Sequence, residues 1–383
     1  MRLYRSQKLM RPDLEAHIYS QALLKNLRNL KSLCPDTTKM CAVVKANAYG
    51  HGIEEVVNIL KKDNVDFFAV SSVYEAIHIS SMVKNQKIFI LEAIHETLPP
   101  DLISLCAKKG FHCAIASPEA LDYAFGILDG TKHVLNLHVN IETGMGRCGV
   151  DTENAAALIE KIEECPNSRL SGIYTHFATA DEEVLSYAYT QLDNFKVFID
   201  KYGYSERDDV IVHAANSAAT IKIPESHFDM VRCGISLYGY YSRPMENAPI
   251  ELEPVVKLQA PIVRLKKIPK GHAVSYGCSY ITKRDTVAAI IPHGYADGYW
   301  RAFSSSAKMK VGEKQVDVIG RVCMDQVLID VTEVEGVSVG QMVTIIDNCH
   351  ESACGAYALA DIAATICYEI LICIHAHVTK IVH

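Results

Sequence analysis

From about residue 39 to residue 240, short apolar runs alternate with stretches whose apolar positions recur every three or four residues. The runs are 39–45 (KMCAVVK), 66–72 (DFFAVSS), 87–92 (KIFILE), 111–116 (FHCAIA), 133–140 (HVLNLHVN), 170–176 (LSGIYTH), 210–214 (VIVHA) and 228–237 (FDMVRCGISL). They read as buried strands. The stretches 53–62 (IEEVVNILKK), 118–128 (PEALDYAFGIL) and 152–164 (TENAAALIEKIEE) read as amphipathic helices. Eight such strands with helices between them predict an α/β domain, a parallel (β/α)8 or TIM barrel. A doubly wound sheet is the rival arrangement, and the strand count favours the barrel.

The pattern changes after 240–254 (YYSRPMENAPIELEP), whose three prolines suit a linker. Beyond it come short β-rich runs at 255–265, 286–291, 316–319, 326–331 and 341–346, punctuated by glycines. The reading is a barrel over 1–243 followed by a mainly β domain over 244–383. The long apolar stretch 362–378 carries Glu369, His375 and His377. It falls short of a span of about 20 residues, so it reads as buried core.

Composition narrows the function classes. Hydrophobic residues make up 49% and charged residues 22% of the 383. The net charge is −7 with no basic tract, which argues against nucleic acid and anionic membrane as partners. No apolar leader opens the chain, so a cytoplasmic protein is expected. The 13 cysteines are odd in number and scattered, with no C-x-x-C. They read as small buried hydrophobes, and neither disulfides nor a metal site is expected.

In a parallel barrel, chemistry gathers at the carboxyl ends of the strands. The first strand runs "CAVVK" and ends on Lys45, although lysine is rarely buried. The fifth leads into Asn140 and a loop carrying Arg147. The sixth ends on His176. The seventh runs into Asn216 and Ser217, and the eighth carries Arg232 before Gly234 and Ile235. Taken singly, each has a bland reading: a snorkelling lysine, surface arginines, a core histidine, a helix-capping serine. Together they converge on one rim. A partly desolvated lysine is a Schiff-base candidate. A hydroxyl with glycine-flanked N–H groups could hold a phosphate. Lysine paired with a phosphate site is the chemistry of pyridoxal phosphate.

At these residues the sequence resembles the alanine racemase family. The matching motifs are "AVVKANAYGHG", "ETGMGRCGV", "GIYTHFATAD", "HAANSAAT", "RCGISLYG", "VSYGCSY", "IPHGYADGY" and "GRVCMDQVLIDV", in order along nearly the whole chain. The resemblance implies a fold type III pyridoxal-phosphate enzyme, an isomerase that makes D-alanine as a peptidoglycan precursor. It also implies a head-to-tail homodimer with shared active sites. Lys45 would hold pyridoxal 5'-phosphate and act as one base, with Tyr276 as the other. Tyr49, Ser217, Gly234 and Ile235 would bind the phosphate, and Asn216 would also belong to the cofactor site. Arg232 would face the pyridine nitrogen, and His176 would bond Tyr276. Arg147 and the Met324 backbone would hold the substrate carboxylate. Cys323, Met324, Asp325 and Tyr276 would come from the partner subunit, and Tyr295 would line the access path. Two relatives of the same fold type are weighed against this: barrels that bind the cofactor without racemising, and decarboxylases that set an acid where Arg232 stands. The second domain with Tyr276, and Arg232 itself, argue against them. Because a tyrosine is a weak base near its reference pKa of about 10, a positive neighbourhood including His176 and Arg232 is expected to activate Tyr276.

Three departures from the family stand out. Asn140 falls where many members carry a carbamylated lysine, so an anion such as chloride, or a water, is expected beside Arg147. Alignment of "EILICIHAHVTKIV" sets Ala376 where the family places a phosphate-touching tyrosine, with His375 or His377 as substitutes. A wider mouth would follow, giving a serine or broad-specificity racemase as the alternative. Near the start, "RPDLEAHIY" replaces the family's usual Trp-containing opening.

Overall fold

The computed structural model describes residues 11–63 and 65–383. The sequence's opening residues 1–10, where no leader is expected, lie outside them. Eight parallel strands form the barrel: β1 (Lys39–Val43), β2 (Phe67–Val70), β3 (Lys87–Ala93), β4 (His112–Ile115), β5 (Leu135–Glu142), β6 (Ser168–Tyr174), β7 (Ile211–His213) and β8 (Met230–Cys233). Neighbours pair in chain order from β1 to β7, and β8 pairs back onto β1 with Arg232 beside Cys41. A nearly closed barrel results. Between β7 and β8 single hydrogen bonds replace a ladder: Asp229 N to Val212 O at 3.0 Å and Arg232 N to Ala215 O at 2.9 Å. Strands β2, β4 and β8 are buried at every position, as strands covered on both faces must be.

The helices between them show why the periodic stretches fold as read. Pro118–Leu128 starts with a proline, which needs no N–H partner there, and Ser117 Oγ accepts from Ala120 N at 3.0 Å. Val73–Ile79 opens with a capping box between Ser72 and Glu75. The second carboxylate oxygen of Glu75 accepts from Ala46 N at 2.8 Å, which ties this helix to the end of β1.

No strand or helix is found between Tyr238 and Val256 among the described residues. The second domain is mainly β. Its six-stranded sheet runs Lys314–Asp317, Lys308–Val311, Met342–Ile346, Val256–Pro261, Arg11–Ile18, Val378–Val382. Arg11–Ile18, at the start of the stretch assigned to the barrel by pattern, thus lies in the other domain's sheet. It pairs antiparallel with Val256–Pro261 and parallel with Val378–Val382, burying Leu14, Ala16 and Ile18. A second, three-stranded sheet joins Arg264–Ile268, Thr286–Ile291 and Val327–Asp330.

The stretch 362–378 is core along one stripe only. Cys367, Ile370, Leu371, Ile374 and Val378 are buried, while Ile366 and Ile372 are exposed. All 13 cysteines are free thiols. Six of them are buried, whereas Cys148, Cys278 and Cys349 are exposed, so the hydrophobe reading does not cover them all. No described helix is long and apolar enough to cross a membrane.

Candidate active site

At the carboxyl rim lies a cavity of about 600 Å³. Ten of the residues singled out by sequence line it: Lys45, Tyr49, Asn140, Arg147, His176, Asn216, Ser217, Arg232, Gly234 and Ile235. Strand β1 delivers Lys45, and the chain then turns in an unusual way. Ala46, Asn47, Ala48 and Tyr49 all have φ between 52° and 54°, one left-handed turn built of L-residues. Such a turn costs about 1–2 kcal/mol per residue, so its surroundings must hold it. Ala46 N is held by Glu75, and Asn47 Oδ1 accepts from Ile53 N at 3.0 Å. At Gly50 (φ 83°) any Cβ would overlap the Leu371 carbonyl, which packs the turn against the helix Cys367–Ile372.

Burial, reinforced by Arg147, lowers the Lys45 pKa, and Glu75 only partly opposes this. No ion pair or hydrogen bond of its amine is seen among the described residues. In the same cavity lies a cradle. Ser217 Oγ accepts from Gly234 N at 2.8 Å and Ser236 N at 3.4 Å. A Cβ at Gly234 would overlap the Tyr49 hydroxyl, so only glycine lets the backbone approach so closely. Asn216 is spent on capping, its Oδ1 accepting from Ala219 N at 3.0 Å.

Arg232 is 4% exposed and rests over the Tyr174 ring, 5.2 Å from its centroid. Its NH2 donates to the carbonyls of Thr175 and Ala214 at 2.8 and 3.0 Å and approaches His176 Nδ1 at 3.2 Å. Burial, then the charges of Arg232, Arg147 and Lys45, push the His176 pKa down to about 3. His176 is therefore neutral at physiological pH. It cannot supply the positive charge that the sequence reading assigned to it. Arg147 sits on an exposed loop whose amides are gathered by Glu142: Gly144 N at 2.6 Å, Gly146 N at 2.9 Å and Arg147 N at 3.3 Å.

The other five site residues do not line this cavity. Tyr276, Tyr295 and Met324 are 66%, 41% and 54% exposed on the second domain, where Tyr295 N bonds Cys323 O at 3.1 Å and Ala296 N bonds Met324 O at 2.9 Å. Asp325 follows in the same turn. Tyr276 sits on a strained turn, with Ser275 at φ 63°, Gly277 at 68° and Cys278 at 49°, anchored by Ser275 Oγ to Arg321 O at 2.6 Å.

The register assigned to the C-terminal segment is corrected. Ala376 is exposed and does not line the cavity. Tyr368 does, eight residues earlier, with its hydroxyl 2.7 Å from Ser242 Oγ and its ring 6.0 Å from Tyr49. Tyr368 lies just off the buried stripe of its helix, which turns it toward the rim. The expected widening of the mouth is therefore not found. His377 instead pairs with Asp297 at 3.3 Å and stands 5.4 Å from the His375 ring, and neither histidine lines the cavity. The sequence reading also missed Tyr174 beneath Arg232. Tyr174 closes β6 two residues before His176, the strand-end position that marks rim residues.

A barrel with a lysine at the end of its first strand, a cradle in the same cavity and a β domain carrying a strained tyrosine defines the barrel-type class of pyridoxal-phosphate enzymes. Family models agree: "Alanine racemase, N-terminal domain" matches residues 18–242 and "Alanine racemase, C-terminal domain" matches 255–382. The chain is similar to an alanine racemase of Clostridium novyi, 34% identical over 375 residues, covering 96% of this chain and 94% of that one. Against one of Carboxydothermus hydrogenoformans the identity is 36% over 381 residues, covering 97% and 100%. Among solved structures, alanine racemase of Clostridium difficile superposes with a TM-score of 0.89 at 32% identity, covering 98% and 96%. That of Bacillus anthracis with bound L-Ala-P gives 0.87 at 31%, covering 97% and 95%. The chain belongs to the alanine racemase family, whose members are isomerases.

Proposed function

We propose that the cavity interconverts L- and D-alanine with pyridoxal 5'-phosphate held on Lys45, in a cytoplasmic homodimer whose two active sites each draw on both subunits. The observation that carries this is a largely buried lysine of lowered pKa, with no carboxylate on its amine, in one cavity with the Ser217–Gly234–Tyr49 cradle. That set fits the cofactor: an amine to bind its aldehyde, and a hydroxyl, close backbone and phenol to take its phosphate. Tyr368 is the tyrosine that narrows the phosphate end. When bound, the cofactor supplies an electron sink that acidifies the substrate Cα–H.

This chain's residues do the rest. Lys45 moves a proton on one face of Cα. Tyr276 of the second subunit moves it on the other, which accounts for its exposure here. His176 has its Nδ1 turned to an Arg232 N–H, so its proton sits on Nε2 and is left to donate to the Tyr276 oxygen. Arg232, a donor only, would face the pyridine nitrogen and leave it unprotonated, which would limit transamination. Arg147 holds the substrate carboxylate with the Met324 backbone of the second subunit. Asn140, which lines the same cavity, is neutral, so chloride is the proposed companion of Arg147.

Mixing variants tests the shared site. Lys45→Ala and Tyr276→Phe are each expected to be nearly inactive. Unfolded and refolded together in equal amounts with pyridoxal phosphate, they should recover about a quarter of wild-type racemisation, because half the dimers are hybrid and each hybrid has one intact site of two. Recovery no greater than the sum of the separate variants would refute sharing. Absence of alanine racemisation in the wild type would refute the reaction.

A further inference from the structure

Arg232 is a buried cation without a carboxylate. Among the described residues its side-chain partners are neutral: two carbonyls, His176 and His213, whose Nδ1 lies 2.8 Å from its NH1. A buried charge normally requires a paired one. Behind His213 stands a row of imidazoles instead. His213 Nε2 is 2.9 Å from His138 Nδ1, and His138 Nε2 is 2.8 Å from His112 Nδ1. The row descends through the barrel from β7 to β5 to the first residue of β4.

One end fixes every proton along it. Arginine offers only N–H donors, so His213 Nδ1 must be bare. A neutral ring then carries its proton on Nε2 and donates it to His138 Nδ1, and the same logic passes to His112. Burial and nearby positive groups keep all three rings neutral: His213 faces Arg232, His138 faces His112, Lys87 and Arg232, and His112 faces Lys87 and Arg169. The fold keeps the path clear. To reach β7 from β5 the row crosses β6 at Gly172, where a Cβ would overlap His138 Nδ1. Aromatic rings wall it: Phe67 is 5.1 Å from His112, Phe89 is 4.6 Å from His138, and Tyr174 stacks on His213 at 4.9 Å.

We propose that His112, His138 and His213 form a one-way row of imidazole dipoles that serves Arg232 in place of a carboxylate. His138 and His112 are then positioning residues for a site they do not touch. Aligned hydrogen bonds polarise one another, so each distal ring strengthens the acceptor that Arg232 meets. A carboxylate would cancel the guanidinium charge, whereas the row anchors it and leaves that charge whole for the cavity. The catalytic consequence rests on the reading that Arg232 faces the cofactor. The row itself does not.

The test starts without cofactor. In protein labelled with 15N in its histidine rings, long-range proton–nitrogen correlations at pH 7 should show His112, His138 and His213 as neutral Nε2–H tautomers. An Nδ1–H or doubly protonated ring at any of the three would overturn the row. His138→Leu should leave His213 in that tautomer, because Arg232 fixes it, but release His112, whose Nδ1 loses its donor; His138→Gln, which both accepts and donates, should hold His112 as well. In the cofactor-loaded enzyme kcat should fall about tenfold for the leucine variant, the order expected for weakening a hydrogen bond to a charged group, with KM unchanged. The glutamine variant should restore it to within about threefold. Should His138→Leu fail to fold, His112→Leu at the outer end should still lower kcat while His213 holds His138 as the Nε2–H tautomer, and an undiminished kcat there would refute the positioning role. Tautomers as expected with undiminished kcat in the leucine variant would refute the positioning role and leave the reading of the site standing.

Discussion

The two halves of the proposed active site are built on opposite plans. On the barrel rim, most of the groups come from the ends of strands that are buried along their length. Lys45 is held by the packing of its turn, and His176 and Arg232 by their bond to each other and by Arg232's bonds to backbone carbonyls. On the second domain, Tyr276 and Met324 stand out on turns, more than half exposed, and the Tyr276 turn is strained at Ser275 and Cys278. The rim is finished within one chain. Tyr276 and Met324 do not line the cavity of their own chain, and that contrast supports the proposed site completed by a second copy.

Substitutions should sharpen the contrast, and the largest effect is expected at Lys45. Lys45→Ala removes both the cofactor's tether and one base, so racemisation should fall on the order of 10⁴-fold, with the cofactor's Schiff-base absorbance lost. Tyr276→Phe should cost about 10²–10³-fold while leaving that absorbance in place, since the rim is intact without it. Loss of cofactor from the Tyr276 variant would mean that the two halves are not separable in this way.

A smaller effect should separate two C-terminal positions. Tyr368→Ala opens the cavity beside Ser242 and should raise turnover of serine relative to alanine by about tenfold, the order that small differences in pocket volume carry. Ala376→Tyr should change that ratio by less than about twofold, because Ala376 lies outside the cavity. Equal effects from both would restore the register the sequence suggested.

These positions also show where sequence reasoning was sufficient and where it was not. The barrel strands were legible because each is a short apolar run, and the rule about strand ends then picked out Lys45, His176 and Arg232 without any family knowledge. Tyr276, Met324 and Asp325 sit on irregular turns, where no period marks a residue, and only the resemblance found them. Tyr368 was missed because the tail was aligned by its last residues, although a six-residue helix between them sets which side chain meets the rim. The N-terminal strand was missed because a sheet's membership depends on pairing across more than 200 residues, which no local pattern carries. The imidazole row was invisible for a related reason. His112, His138 and His213 each look like a lone core histidine until the barrel closes.

The smallest effect is expected at Glu142, the last residue of β5, where the rim passes into an exposed loop. Its carboxylate gathers the amides of Gly144, Gly146 and Arg147, so it shapes the exposed loop that presents Arg147 to the cavity. Burial would raise its pKa, but the backbone N–H groups outweigh that and the net shift is downward. A carboxyl whose folded pKa is depressed contributes stability above its unfolded value of about 4.3 and loses it as pH falls through the folded value. Glu142→Gln should therefore lower the melting temperature by about 1–2 °C at pH 7, discounted for a group this open to solvent. The gap should close toward pH 3 to 4, where the wild-type carboxylate also becomes neutral. The alanine KM should rise about twofold to threefold with kcat nearly unchanged, the signature of a binding group loosened in ground and transition state alike. A melting gap that persists unchanged at low pH would mean that the loop is held by the shape of the side chain and not by its charge.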